Sequence, residues 1–451
     1  MIKYIKSLSI LLLLFSFLCT VSLVADENGN ETEDYKKIRE NTIKYGIGSQ
    51  VIDLVSQLKE EENDRYNDLL VELFETTGNN SLRIGIVGLF STLEDDSLVN
   101  KVYTILEEYE DLSSELVLSS ISYIAQFQNT AITDRLFELA EALQSEVATA
   151  AIRAIGESGE KENGRRLLQF SENDDFRDEL EPSLIYALGE LQYREAVDYL
   201  IEIALDEDQS NSHRWRACEA LGKIGGEESF QTIKSLLNDD DSYLRSYAVN
   251  ALSGFKEERT LDILIDALRD DFWRVRVGAL GALEKIGSPA ALDVLEYKVY
   301  NDPDVRNVRY AALKALGSIE SQKAYSILRE LYGKKTEHLL LRKEALRILV
   351  EKDLNSSLKI INSVIDDEWS EENSEILDYT CRQLSLTRSS SLKEVFKRML
   401  IHPRSINIML YGLRGIRLNE FTSLKPDVEV LTGSGYARSV RQLARSVLED
   451  L

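Results

Sequence analysis

The three histidines, His213, His338 and His402, are the first place to look for acid–base or metal chemistry, and they are scattered, with no His-Glu pair among them. A metal centre needs His, Cys or carboxylate groups that converge on one point, and this spacing offers no such convergence. Neither a G-x-x-x-x-G-K-[ST] phosphate loop nor a G-x-S-x-G nucleophile elbow occurs. Gly433-Ser434-Gly435 lacks a strand–turn–helix setting and reads as a break between the last helices. Acidic runs such as Asp239-Asp240-Asp241 suit turns and helix caps, and they lack the spacing of a calcium loop. The expectation is a non-enzyme with no catalytic residue, metal or cofactor.

Composition points the same way. The 451 residues carry 53 Lys and Arg against 78 Asp and Glu, a net charge of −25, with 43% apolar residues. That is a globular balance, too acidic for broad contact with a phosphate backbone, so nucleic acid is excluded as a partner. Three cysteines cannot build a disulfide framework. Cys218 and Cys381 sit in apolar helical patterns 163 positions apart, where a free thiol packs as a small hydrophobe.

The N-terminus has the layout of a secretory leader. Lys3 and Lys6 precede an apolar stretch from Leu8 to about Val24, and Ala25 offers a small residue before the polar run DENGNETED. Residues 1–25 are therefore read as a signal peptide cut after Ala25, with an uncleaved anchor as the alternative. Cys19 raises a lipoprotein reading, but Leu18 sits where a lipidation signal wants a small residue. Residues 26–44 read as an acidic polar linker. The expected destination is the periplasm or cell envelope.

The elements that must carry any function come from a repeat. One phrase recurs: AAIRAIGESG, SLIYALGELQ, ACEALGKIGG, AVNALSGFKE, ALGALEKIGS, AALKALGSIE. Anchored on the apolar residue after the Ala, its copies fall at Ile155, Leu188, Leu221, Leu252, Leu283 and Leu316, with spacings of 33, 33, 31, 31 and 33. Weaker copies fall at Leu89, Ile124, Ile348, Leu384 and Leu413, and YARSVRQLARSVLEDL reads as a closing cap. Each unit reads as two helices, as in LDILIDALRD followed by WRVRVGALGALEKIG, which stops at Gly287-Ser288-Pro289. Such pairs bury their apolar faces only by stacking. The fold expected over 45–451 is an all-α solenoid of about eleven antiparallel helix pairs, best matched over 145–320 and divergent over 381–451.

The Ala-Leu-Gly phrase resembles the HEAT repeat family, in particular the short HEAT-like units of the phycobilisome-lyase type. Arg214, Arg245, Arg276 and Arg309 lie seven residues before their anchors, and Asp208, Asp241, Asp271 and Asp304 precede them in the turns. The resemblance implies that these residues form a ladder tying successive turns together. It does not extend to the iron-binding HEAT hydroxylases, which depend on His-Glu motifs, and bilin chemistry would be out of place in an exported chain.

Register also sorts the surface. Positions three and four before each anchor, such as Cys218/Ala217 and Val249/Ala248, belong to the core. Positions two and five or six before it present Arg153, Tyr186, Trp215, Arg216, Glu219, Tyr247, Asn250, Tyr310 and Lys314 on another face of the second helices. In solenoids resembling HEAT arrays that face is concave, and Tyr, Trp and Arg dominate binding hot spots. The competing use of these side chains is packing on neighbouring helices.

Charge divides the two ends. Residues 381–451 carry twelve Lys and Arg against six Asp and Glu, whereas residues 26–380 are net −33. Arg438, Arg441 and Arg445 share one side of the last helix, and Arg404, Arg414 and Arg417 extend the basic patch. Two interaction functions follow: a scaffold that binds a protein or extended peptide along the concave face, or an envelope adaptor that docks its basic end on an acidic protein or anionic surface. An enzyme assembled from scattered carboxylates is the third reading. Membrane contact would be peripheral, or through a lipid on Cys19.

Overall fold

A computed structural model describes residues 33–127, 130–142, 145–157, 160–371 and 373–451. The leader, with Cys19 and the cut after Ala25, lies outside the described residues. Every regular element among the described residues is a helix, and the helices alternate as antiparallel pairs. The chain divides into two compact units, 1–226 and 227–451. The first holds six pairs and the second seven, so the described residues contain thirteen pairs where the sequence pattern suggests about eleven and a cap. The additional pair comes first: Glu33–Tyr45 is a helix in the stretch expected as a linker, and it packs on Gly48–Glu60. At the other end Arg438–Asp450 is the second helix of a complete pair begun by Lys425–Val430.

All eleven anticipated anchor residues are buried. So are the positions three and four before the six strongest, from Ile152 and Ala151 to Leu313 and Ala312. Burying one such leucine contributes roughly 1.5–3 kcal/mol, which makes the stacked seam the main source of stability. Within each unit the second helices pack directly on one another, for example Ser145–Glu157 on Asp174–Glu190 and Ile406–Leu418 on Glu375–Ser385. Cys218 and Cys381 are free and buried in this seam, and burial pushes the Cys381 thiol up to about 12.

The glycine of the Ala-Leu-Gly phrase has a physical reason. A Cβ on Gly156 would stand 2.5 Å from the Ala187 Cα, and one on Gly189 would stand 2.8 Å from the Ala220 Cβ. The residue after one anchor thus meets the alanine before the next, and two small residues let neighbouring helices approach at backbone distance. Gly287 plays a different part, capping Trp273–Ile286 at φ 62.

The arginine ladder exists in the second unit, with different acidic partners. Arg245 forks onto Asp270 at 2.8 and 3.0 Å, Arg276 onto Asp302, and Arg309 onto Glu337 at 2.7 Å. Each arginine also reaches the backbone of its own unit, Arg276 through the carbonyls of Asp270 and Asp271. Asp241 and Asp304 stand at helix starts. Their side chains cap helices by accepting from the Tyr243 and Asn307 N–H groups at 2.9 Å. The acids that hold the arginines accept from free amides as well, Asp270 from Phe272, Asp302 from Asp304 and Glu337 from His338.

Arg342 corrects the register of the outer repeats. Its Nε donates to the Tyr332 carbonyl at 2.9 Å, as Arg214 does to Ala204 at 3.2 Å and Arg309 does to Val299. Arg342 is therefore the next member of the series, and the anchor seven residues on is Leu349 rather than Ile348. The buried seam places the following anchors at Leu384, Ile416 and Val447, so Ile416 replaces Leu413.

Candidate functional site

The second-helix face of the first unit is a connected network. Arg153 stacks over the Tyr186 ring at 4.3 Å, and Tyr186 donates its hydroxyl to Glu157 at 3.1 Å. Lys223 approaches the same ring at 5.4 Å and pairs with Glu190 at 2.7 Å and Glu219 at 2.9 Å. Burial and then the Glu157 carboxylate push the Tyr186 pKa up. Burial pulls Lys223 down, but Glu190 and Glu219 together raise it above the usual lysine value. Arg153, Tyr186 and Glu219 thus meet in one array across three successive helices. Arg216 is exposed beside it and Trp215 is half-buried. Arg153 also lines an open groove of about 390 Å³ with Leu118, Ile121 and Thr149.

In the second unit Tyr247 and Tyr310 are half-buried and Asn250 is exposed. The Asn250 amide lies against Gly278, where a Cβ would stand 2.8 Å from its Oδ1. Lys314 pairs with Glu284 at 3.3 Å, and Tyr310 donates to Glu344 at 3.2 Å. Glu344 also holds Arg347 at 2.7 Å, and Arg347 reaches Glu351 at 2.9 Å. These contacts run from helix to helix, so packing and display are one and the same use of the face.

The anchors align Lys314, Arg414 and Arg445 with Arg347 and Arg382, which the sequence reading missed. Two positions before Leu316, Leu349, Leu384, Ile416 and Val447 stand Lys314, Arg347, Arg382, Arg414 and Arg445. Five successive second helices therefore offer a cation at the same place. Tyr379 and Tyr411 stand five before their anchors, both half-buried, and both phenols are pushed up by burial, then by Glu344 and Asp378 respectively. The anchors expected at Ile348 and Leu413 hid this column, since each is displaced from the seam position the fold assigns.

The anticipated basic patch is not uniform. Arg414, Arg438 and Arg445 are exposed. Arg417 pairs with Asp450 at 3.5 Å, and Arg404 donates to the Ser370 carbonyl at 3.2 Å. Arg441 is half-buried at the start of the last helix. A cavity of about 970 Å³ opens between the helix starts at Ser374 and Ser405, lined among others by Lys343, Tyr379, Arg382, Arg404 and Asn407.

The histidines have local uses. His338 caps its helix, its Nδ1 accepting from the Leu340 N–H at 3.2 Å. The Nδ1 of His402 accepts from the Ser405 N–H at 2.9 Å, and burial lowers the imidazole pKa. His213 Nδ1 lies 2.9 Å from the buried Glu181 carboxylate, which Tyr199 and Gln209 also contact. Among the described residues no group of three His, Cys, Asp or Glu is placed to hold a metal, and no helix is long and apolar enough to cross a membrane.

Stacked helix pairs, an Ala-Leu-Gly seam and an arginine ladder define a HEAT-type α-solenoid. The family described as spirochaete HEAT repeat protein matches residues 43–447, and the chain belongs to it. Short stretches are similar to deoxyhypusine hydroxylases: 30% identity over 80 residues with that of Candida albicans, covering 18% of this chain and 25% of that one. The Aspergillus clavatus enzyme is 39% identical over 62 residues, covering 14% and 18%. Among solved structures, Kap121p bound to Pho4p is similar at 13% identity and TM-score 0.47, covering 93% of this chain and 54% of that one. Importin beta is similar at 14% identity and TM-score 0.45, covering 92% and 61%. The chain thus spans a quarter or less of the hydroxylases and little more than half of the karyopherins.

Proposed function

We propose that this protein is a non-enzymatic scaffold, exported to the periplasm or cell envelope after cleavage behind Ala25, that binds a protein or extended peptide along the second-helix face. One observation carries the binding reading: half-exposed aromatics recur five or six positions before the anchor, as Trp215 in the first unit and Tyr247, Tyr310, Tyr379 and Tyr411 in the second. A repeat array fixes such side chains at regular spacing before any partner arrives, which lowers the ordering cost of association. Large aromatics held half in solvent supply contact area with little rotamer entropy to lose.

In-cell crosslinking and mass spectrometry test the reading, with the wild type run beside a folded Trp215→Ala/Tyr247→Ala/Tyr310→Ala variant. One protein captured by the wild type and lost in the variant is the expected result. Capture that is unchanged in the variant would remove the aromatic face from the function. Export is tested separately: the mature N-terminus, read by mass spectrometry from fractionated cells, is expected at Asp26.

A further inference from the structure

The second-helix face changes character along the second unit. Lys314 is compensated by Glu284, and Arg347 by Glu344 and Glu351. Beyond them Arg382, Arg414 and Arg445 are exposed and make no ion pair among the described residues. Asp378 and Glu449 stand one turn from Arg382 and Arg445 without forming an ion pair with them among the described residues. Ile406–Leu418 contains no Asp or Glu, and Arg438–Asp450 has only its last two acids, of which Asp450 faces Arg417. On Glu375–Ser385, Glu375 is taken by Lys343 at 3.1 Å, and Asp378 lies against Tyr411. Three exposed guanidinium groups without an ion pair, in a chain of net charge −25, are a local concentration of positive charge.

We propose that Arg382, Arg414 and Arg445, flanked by Tyr379 and Tyr411, form a docking row for an extended acidic peptide segment of a partner protein. This rests on the protein-binding reading above and names the partner's chemistry. Charge complementarity selects the occupant, since planar guanidinium forks take carboxylates in bidentate fashion. The two tyrosines give an apolar floor between the charges. Spacing gives the motif. The three helices pack directly on one another, and packed helix axes lie about 8–10 Å apart. A peptide in polyproline II geometry advances about 3.1 Å per residue with three residues per turn, so every third side chain faces the same way and meets successive arginines.

The test is fluorescence anisotropy with the purified chain at low salt, using a labelled peptide that carries Asp at every third position. Controls are a peptide of the same composition with its Asp residues contiguous, and one with Lys in their place. The spaced peptide is expected to bind best, to weaken as salt is added, and to lose roughly tenfold or more of its affinity in Arg382→Glu/Arg414→Glu/Arg445→Glu. The Arg-to-Lys triple is expected to keep most of the binding. If the Glu triple does not fold by circular dichroism, the Arg-to-Gln triple replaces it. Equal binding of the contiguous or Lys peptide overturns the proposal, as does wild-type affinity in the folded triple variant. So do binding of phosphatidylserine vesicles but of no peptide, and self-association that the triple variant abolishes. A partner lost through Trp215, Tyr247 and Tyr310 alone, with no acidic peptide bound, sinks the arginine row and leaves the scaffold standing.

Discussion

Arg276 leaves its own turn to hold Asp302 in the next: Nη2 donates to Oδ1 at 3.2 Å, and Nε lies 3.0 Å from Oδ2. Both side chains are almost fully buried, and Lys298 adds a third charge 3.2 Å from the carboxylate. Removing one member of a buried pair strands the other, at a cost of about 3–5 kcal/mol. Arg276→Ala is therefore expected near the lower end of that range, because Lys298 still compensates Asp302. Asp302→Ala leaves two cations unpaired and is expected to cost more. Urea denaturation of the two variants decides the order.

The neighbouring rung sets a pH dependence. Burial raises the Asp270 carboxyl, but the Arg245 fork and the Phe272 N–H hold its pKa below the usual aspartate value. A folded pKa below the unfolded one gives stability that is complete above about pH 4 and fades as pH falls through the folded value. Asp270→Asn is expected to lose about 2 kcal/mol at neutral pH and to flatten the acid limb of the stability curve. A stability curve as steep below pH 4 in the variant as in the wild type would remove Asp270 from that role.

Gly156 tests the seam. A methyl there would press on the Ala187 backbone, which cannot rotate away as a side chain end could. Gly156→Ala is expected to destabilise by about 1–3 kcal/mol despite the better helix propensity of alanine. Gly281 has the same residue type in a second helix with open space at its Cβ, so Gly281→Ala is expected to stabilise slightly. Thermal melts of the pair separate crowding from propensity.

The seam was legible because a buried face repeats with the helical period whatever its neighbours are. Leu252 and Leu283 could be placed by counting alone. The rungs could not, since the turn Asp270-Asp271 offers two neighbouring acids and only the fold shows that Arg245 and the Phe272 N–H both take Asp270. Arg382 was hidden for another reason. Its own anchor Leu384 was in place, but the anchors expected on either side, Ile348 and Leu413, were not, so the column was broken around it. The capture of Tyr186 by Arg153 was equally invisible, because exposure and packing use the same position on the helix.

The segment Val305–Arg309 is a π turn, and it absorbs a surplus residue. In the units of Asp241, Phe272 and His338 the cap lies eleven residues before its anchor, at Leu252, Leu283 and Leu349. From the cap Asp304 to Leu316 the count is twelve, yet Arg309 still reaches Val299 and Glu337 as its counterparts do. The extra residue is therefore taken up between cap and arginine, where a wider turn leaves the seam beyond it in register. Deleting the exposed Arg306 is expected to convert the turn to ordinary helix and to change stability by no more than about 1 kcal/mol. Deleting the solvent-side Arg274, which follows an ordinary cap, rotates every later core residue of Trp273–Ile286 by one position and is expected to unfold that unit. Equal losses in the two deletions, read by circular dichroism melts, would mean that the π turn stores no insertion. A tolerated Arg306 deletion would show that the repeat length is elastic at this one turn and rigid in the helices that follow it.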